Sequence, residues 1–183
     1  MRGPIDVTQA LLEAGVAHEV VHLRRRIDDA AELPEVLGQP GTSCVAVRLY
    51  EADRGPVAAL LPADRTAATT ALARAVRSRR LRRPEPGRVS ELTEFHPSLV
   101  PPFCLPGGVV AVADRALRDA EVLYTTTGDG GTALKVHAED LFEVTGATVA
   151  DLVEPGVLVD VTRRVLDDGW RAGAPSVVGS FRR

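Results

Sequence analysis

A chain of 183 residues with 45% hydrophobic content is long enough for one globular domain with a real core. Its formal net charge of -3 excludes a protein that grips nucleic acid by bulk charge alone, although a local basic patch is compatible with it. No stretch is apolar for long enough to cross a membrane, and Met1-Arg2-Gly3-Pro4 does not begin a signal peptide, so a cytoplasmic location with no membrane partner is expected.

Aromatic residues make up only 4%, so the core must be built from Ala, Val and Leu. Lys135 is the single lysine, and arginine supplies the remaining positive charge. Cys44 and Cys104 are far apart and flanked by apolar residues, which predicts two free thiols rather than a disulfide.

The first predicted element is a helix over Asp6 to Ala14, closed by Gly15. Val16 to Leu23 reads as a strand; His18 and His22 share a face there, but lie roughly 13 Å apart at ~3.3 Å per residue, too far to share a metal ion. Arg24-Arg25-Arg26 follows, then a second helix over Asp28 to Leu37, interrupted by Pro34 and closed by Gly38. Thr42 to Tyr50 and Pro56 to Leu61 are apolar strands joined by a turn over Glu51 to Gly55. Pro62-Ala63-Asp64-Arg65 leads into an alanine-rich helix expected to run to about Val76.

Arg77, Arg79, Arg80, Arg82 and Arg83 then crowd one short segment. Such a run is either a solvated, partly disordered charge cluster or a contact for a phosphate backbone, since guanidinium forks suit phosphate oxygens. A short helix is expected over Ser90 to Phe95. The following stretch, His96 to Gly108, is rich in proline and glycine yet carries Leu99, Val100, Phe103 and Leu105, which predicts an ordered loop packed on the body. Val109 to Ala113 reads as a buried strand ending at Asp114, an acid suited equally to a site or to capping the next turn.

Leu123 to Thr127 and Thr132 to Val136 form a hairpin around Gly128-Asp129-Gly130-Gly131, followed by a helix from His137 that Gly146 closes. Beyond residue 150 the chain changes character. Residues 1–150 are expected as one domain, with 151–183 as a C-terminal extension in which Val161 to Asp168 suggests a short helix and Trp170 and Phe181 trail off among small residues.

The common catalytic signatures are missing. The glycine loop is not a P-loop, because no Lys-Ser/Thr pair follows it, and it precedes a strand, unlike a dinucleotide fingerprint. No GxSxG elbow occurs, and a Ser98, His96, Asp114 trio is the kind of combination any chain of this length offers. The residues alone thus give an α+β domain with a structured loop, a glycine hairpin and a basic segment, and no reaction.

The order of elements and several strings resemble the YbaK/prolyl-tRNA-synthetase-associated domain family. The strongest string is LYTTTGDGGTALKVHAEDLFEVTGA, in which Gly128, Gly131, Leu134, Asp140, Leu141, Thr145, Gly146 and Ala147 stand at matching positions. Weaker matches are LLEAGVAHEVV, AAELPEVLG, ALLPADR and VVAVADRAL with its Asp114. SLVPPF lies where the family carries a G-x-x-x-P loop, with Ser98 in place of the glycine and Pro102 keeping the proline.

The resemblance covers roughly residues 5 to 150. It implies a mixed α/β fold, a YbaK-like mixed sheet wrapped by helices, acting as an aminoacyl-tRNA deacylase that edits mischarged tRNA in trans. No cofactor or metal is implied, the partner is tRNA, and a homodimer stays open. The implied catalytic groups are the backbone amides of Ser98, Leu99 and Val100 and those of Gly107 and Gly108, with Asp114 near the substrate amino group. Pro102, Thr127 and Gly128 would line the pocket, and Arg79, Arg80, Arg82 and Arg83 would meet the nucleic acid. The lysine with which the family holds the substrate 3′ end falls at Ala46, with Arg48 two residues on along the same strand face. The alternative expectation is therefore a catalytically diverged module that binds tRNA or an aminoacyl-like ligand. A third is an interaction protein that uses the tail around Trp170.

Overall fold

The computed structural model describes residues 1–153. The predicted tail elements, Trp170 and Phe181 lie outside the described residues.

The first helix, α1 (Pro4–Glu13), starts on a proline, whose missing N–H costs nothing in a first turn, and Asp6 accepts the Gly3 N–H at 2.8 Å. β1 (His18–His22) follows. Pro34 does not interrupt the second helix. A 3₁₀ turn over Ala30–Glu32 precedes it, and Pro34 sits in the first turn of α2 (Leu33–Leu37), where its ring is tolerated. β2 (Cys44–Ala52) and β3 (Gly55–Pro62) form the central hairpin.

The alanine-rich segment is helical only over α3 (Thr69–Ala75), because the preceding residues run alongside residues 152–153, where Ala67 bridges Val153 and the Ala68 N–H donates to the Leu152 carbonyl. β4 (Leu81–Arg82), α4 (Pro86–Thr93), β5 (Val110–Asp114), β6 (Val122–Thr126), β7 (Thr132–His137), α5 (Ala138–Thr145) and β8 (Thr148–Ala150) complete the described chain.

The strands make one mixed sheet in the order β1-β7-β6-β2-β3-β5-β8. The β2–β6, β3–β5 and β5–β8 pairs are parallel and the others antiparallel. One face of the sheet carries the main core: Val45, Val47, Leu60, Ala113, Leu123 and Leu134 pack with Val7 and Leu11 of α1, Phe95 and Leu141 of α5. Alternation sends Cys44, Ala46 and Ala133 to the other face, where they meet Ile27, Ala30 and Leu33, while Tyr50, Leu61 and Val112 meet Leu72 and Leu152. Leu152 is fully buried, so the packed body runs past residue 150.

Candidate functional site

The parallel pair β2 and β6 is joined only at Cys44–Tyr124 and Val45–Thr125. Beyond that point the strands part, since β2 turns back toward β3 on one side and β6 toward β7 on the other. Parallel strands that lead to opposite sides leave a crevice at their carboxyl ends, where open α/β sheets hold their ligands.

The segment Ser98 to Phe103 fills this crevice. Leu99 packs with Ala46, Ala30 and Ile27 on one face, whereas the next residue, Val100, and Phe103 join the main core on the other. The loop therefore passes between the two parts of the sheet, which accounts for its apolar composition. Its backbone is fixed on both flanks. The Thr126 hydroxyl donates to the Leu99 carbonyl at 2.8 Å, and the Ala30 N–H donates to the Ser98 carbonyl at 3.0 Å.

The groups lining the crevice are strongly constrained. Ala46 is 1% exposed within an apolar cluster. Arg48, on the same strand face, forms an ion pair with Asp29 and does not reach outward. Asp29 also accepts the Ala31 N–H, capping the 3₁₀ turn, while Glu32 accepts the N–H groups of Asp28 and Asp29 in return. The Leu99 N–H donates to the His96 carbonyl at 2.9 Å, whereas the Val100 N–H makes no hydrogen bond to any described residue. Pro102 is buried, while Ser98 is half-buried.

The glycine turn after β6 closes the far wall. Thr127 is fully buried, and its hydroxyl contacts the Thr132 hydroxyl at 2.6 Å and Asp129 at 3.1 Å. Gly128, at φ +93, has Phe95 ring atoms 2.4 Å from where a Cβ would stand. A Cβ on Gly130 would fall 2.1 Å from the Ile27 carbonyl oxygen, so any side chain at either position displaces the wall. Burial pushes the Asp129 carboxyl up, but the Thr132 hydroxyl, the Gly131 N–H and Thr127 outweigh it and hold the group below the usual carboxylate range.

A family model for the aminoacyl-tRNA editing domain matches residues 25–144. The chain belongs to the aminoacyl-tRNA editing domain family. Among solved structures, the fold is similar to that of a candidate trans-editing enzyme for prolyl tRNA synthetase, with 26% identity and a TM-score of 0.75, covering 82% of this chain and 96% of that one. A hypothetical protein is similar at 26% identity and a TM-score of 0.74, over 81% of this chain and 99% of that one. No curated protein sequence matches.

Against this editing-domain frame, the crevice brings together Ala46, Arg48, Ser98, Leu99, Val100, Pro102, Thr127 and Gly128. It does not bring in Gly107 and Gly108. The Gly108 carbonyl lies 3.9 Å from a Cβ position on Gly55, which pairs with Ala52, six residues along β2 from Ala46 and so about 20 Å away. The five residues of β5 carry the Gly107-Gly108 segment to the opposite end of the sheet from Asp114, which removes these amides from the expected constellation.

Asp114 stands two strands from Ala46, about 10 Å across the sheet, through Leu61. Its carboxylate is already engaged: Oδ1 accepts the Ala116 N–H at 3.0 Å, and Oδ2 accepts those of Leu152 and Val153 at 2.8 and 3.0 Å. Of the two roles open to it from sequence, capping is the one its geometry fills. His96 Nδ1 meets the Ser98 backbone N–H, so the Ser98, His96, Asp114 trio is not assembled as a triad.

The arginine segment is not a loose charge run. Leu81 and Arg82 form β4 against the far end of β2, and the N–H groups of Arg79 and Arg80 donate to Asp53. Arg82 pairs with Glu51, and Arg83 lies 5.8 Å over the Tyr50 ring. Of the four arginines expected to meet nucleic acid, only Arg79 and Arg80 have guanidinium groups without a partner among the described residues. A cleft of about 300 Å³ lined by Tyr50, Glu51, Gly55, Pro84 and Arg88 opens beside them.

Both cysteines are free, and burial with the nearby Asp64 pushes the Cys44 thiol up to about 12, so it is inert as a nucleophile. Among the described residues, no group of three metal-ligating side chains occurs. The Asp29–Arg48 pair was the functional neighbour that sequence reasoning missed. Its signal was present in Asp29-Ala-Ala-Glu32, a capping-box spacing that fixes where the turn begins.

Proposed function

We propose that this chain is an aminoacyl-tRNA deacylase that hydrolyses the ester of mischarged tRNA in trans. The observation that carries this reading is the editing-domain match across residues 25–144. The fold neighbour assigned as a candidate trans-editing enzyme supports the same class of reaction.

Hydrolysis of an activated ester needs a positioned water and donors for the developing oxyanion. In this reading the Val100 N–H is the oxyanion donor, because the Leu99 N–H is already engaged with His96. The tRNA terminal hydroxyl orients the water, since the crevice carboxylate of Asp29 is held by Arg48 and the Ala31 N–H. The test is release of amino acid from a panel of mischarged tRNAs, including alanyl- and cysteinyl-tRNA for proline. Release faster than in buffer is expected; a panel left intact overturns the reading.

One observation favours a second reading, a module that binds tRNA or an aminoacyl-like ligand without hydrolysis. Ala46 stands where the family lysine is expected and is sealed in an apolar cluster. That reading predicts salt-sensitive RNA binding in a protein that leaves the whole panel intact.

A further inference from the structure

The three consecutive arginines after β1 have no part in the constellation described above. Their backbone is clamped at both ends to the glycine turn. The Leu23 N–H donates to the Gly131 carbonyl at 3.0 Å and the Ile27 N–H to the Gly130 carbonyl at 2.9 Å. Arg24, Arg25 and Arg26 thus form a short bridge of fixed position. Ile27, at its end, inserts into the cluster that holds Ala46 and Leu99, so the bridge borders the crevice.

The three side chains are not equivalent. Arg25 is neutralised by Glu32 and Glu35, the second at 3.3 Å. The guanidinium groups of Arg24 and Arg26, both on exposed residues, form neither an ion pair nor a hydrogen bond with any described residue. Arg26 Nη1 lies 3.3 Å from a Cβ position on Gly131, so the absent side chain there leaves room for the guanidinium against the turn. Asp129 Oδ2 approaches the same point at 3.4 Å but lies beyond ion-pair reach of Arg26, and its Oδ1 holds the turn.

Two unpaired guanidinium groups on a fixed backbone suit the phosphate oxygens of a polyanion, because the backbone that carries them is already ordered and each planar fork can meet phosphate oxygens with two donors. We infer that Arg24 and Arg26 hold a backbone phosphate of the RNA substrate at the rim of the crevice, supplying the positive charge that Ala46 does not. The identity of that RNA as an aminoacyl-tRNA rests on the deacylase reading; the contact itself does not.

The experiment measures binding of the full chain to an uncharged acceptor-stem RNA hairpin across a salt series, alongside amino acid release from the mischarged panel. R24Q/R26Q is expected to weaken binding by roughly tenfold or more at 0.1 M salt and to lower the salt slope by about 1 per arginine. R24K/R26K retains most of the slope, and R25Q leaves it unchanged. Circular dichroism melting verifies that each variant is folded. Should R24Q/R26Q prove unfolded, the folded lysine variant and a single R24Q decide, the latter by a slope lower by about 1. Wild-type affinity and slope in folded R24Q/R26Q, or no RNA binding by the wild type, overturn the inference. Lost RNA affinity in a protein that cleaves nothing sinks the deacylase reading and leaves this one standing; cleavage with an unaltered slope does the reverse.

Discussion

The two ends of β2 are built on opposite terms. At the Ala46 end, the strand is enclosed by the Ser98–Phe103 loop, the capped turn after Asp29 and the glycine hairpin, with each backbone held by named hydrogen bonds. At the Glu51 end, about 17 Å along the strand, Arg79, Arg80, Arg82 and Arg83 form an exposed ledge beside an open cleft. Enclosure provides geometry, which catalysis and discrimination need, whereas an exposed ledge provides screened long-range attraction.

The strongest way to break the enclosed end is to add one methyl group. Gly130→Ala drives its Cβ into the Ile27 carbonyl and is expected to cost about 3 kcal/mol, measured by urea unfolding, while an alanine at exposed Gly107 has open space around its Cβ and little effect. Ala46→Lys puts an ammonium into an apolar cluster at a site 1% exposed. A loss of about 3 kcal/mol with no gain in deacylation is expected, and a stable variant with faster deacylation would mean that the crevice opens as the family pattern implies.

Arg48→Ala removes the partner of Asp29. Because the two side chains are 21% and 28% exposed, the expected loss is nearer 1–2 kcal/mol, roughly that of a charged hydrogen bond reduced by solvent screening. A smaller effect comes from Asp129. Its folded value lies below the ordinary one, so its contribution is fully present above about pH 3.9 and is lost as pH falls through the lowered value. The stability difference between wild type and Asp129→Asn should therefore shrink as the pH is lowered below about 3.9, and a constant difference would contradict the assignment.

The smallest effect on folding is expected at the ledge. Arg79→Gln with Arg80→Gln should alter stability by no more than about 0.5 kcal/mol, yet lower the salt slope of RNA binding; an unchanged slope would remove the ledge from the interface.

Much of the fold was legible because local chemistry repeats what the tertiary structure needs. The two hairpins, the closing helix and Gly15, Gly38 and Gly146 at left-handed positions follow from alternation and turn residues. The ordered, apolar loop at Leu99 and Phe103 was legible for the same reason, since a polar linker has no use for such side chains. The arginine run was harder to read. A two-residue strand against Glu51 and Ala52 leaves no periodicity, and its pairing depends on a strand 30 residues earlier.

The sequence by itself determined the two hairpins, the first and the closing helix, the family and the absence of a lysine at position 46, since each is encoded in neighbouring residues. Only the tertiary structure decided which groups meet. Parting of the parallel β2 and β6 admits the Leu99–Val100 backbone, the length of β5 removes Gly107 and Gly108, and three backbone amides occupy Asp114. Such outcomes depend on strand register and on competition for hydrogen bonds between residues distant in the chain, neither of which a local pattern records.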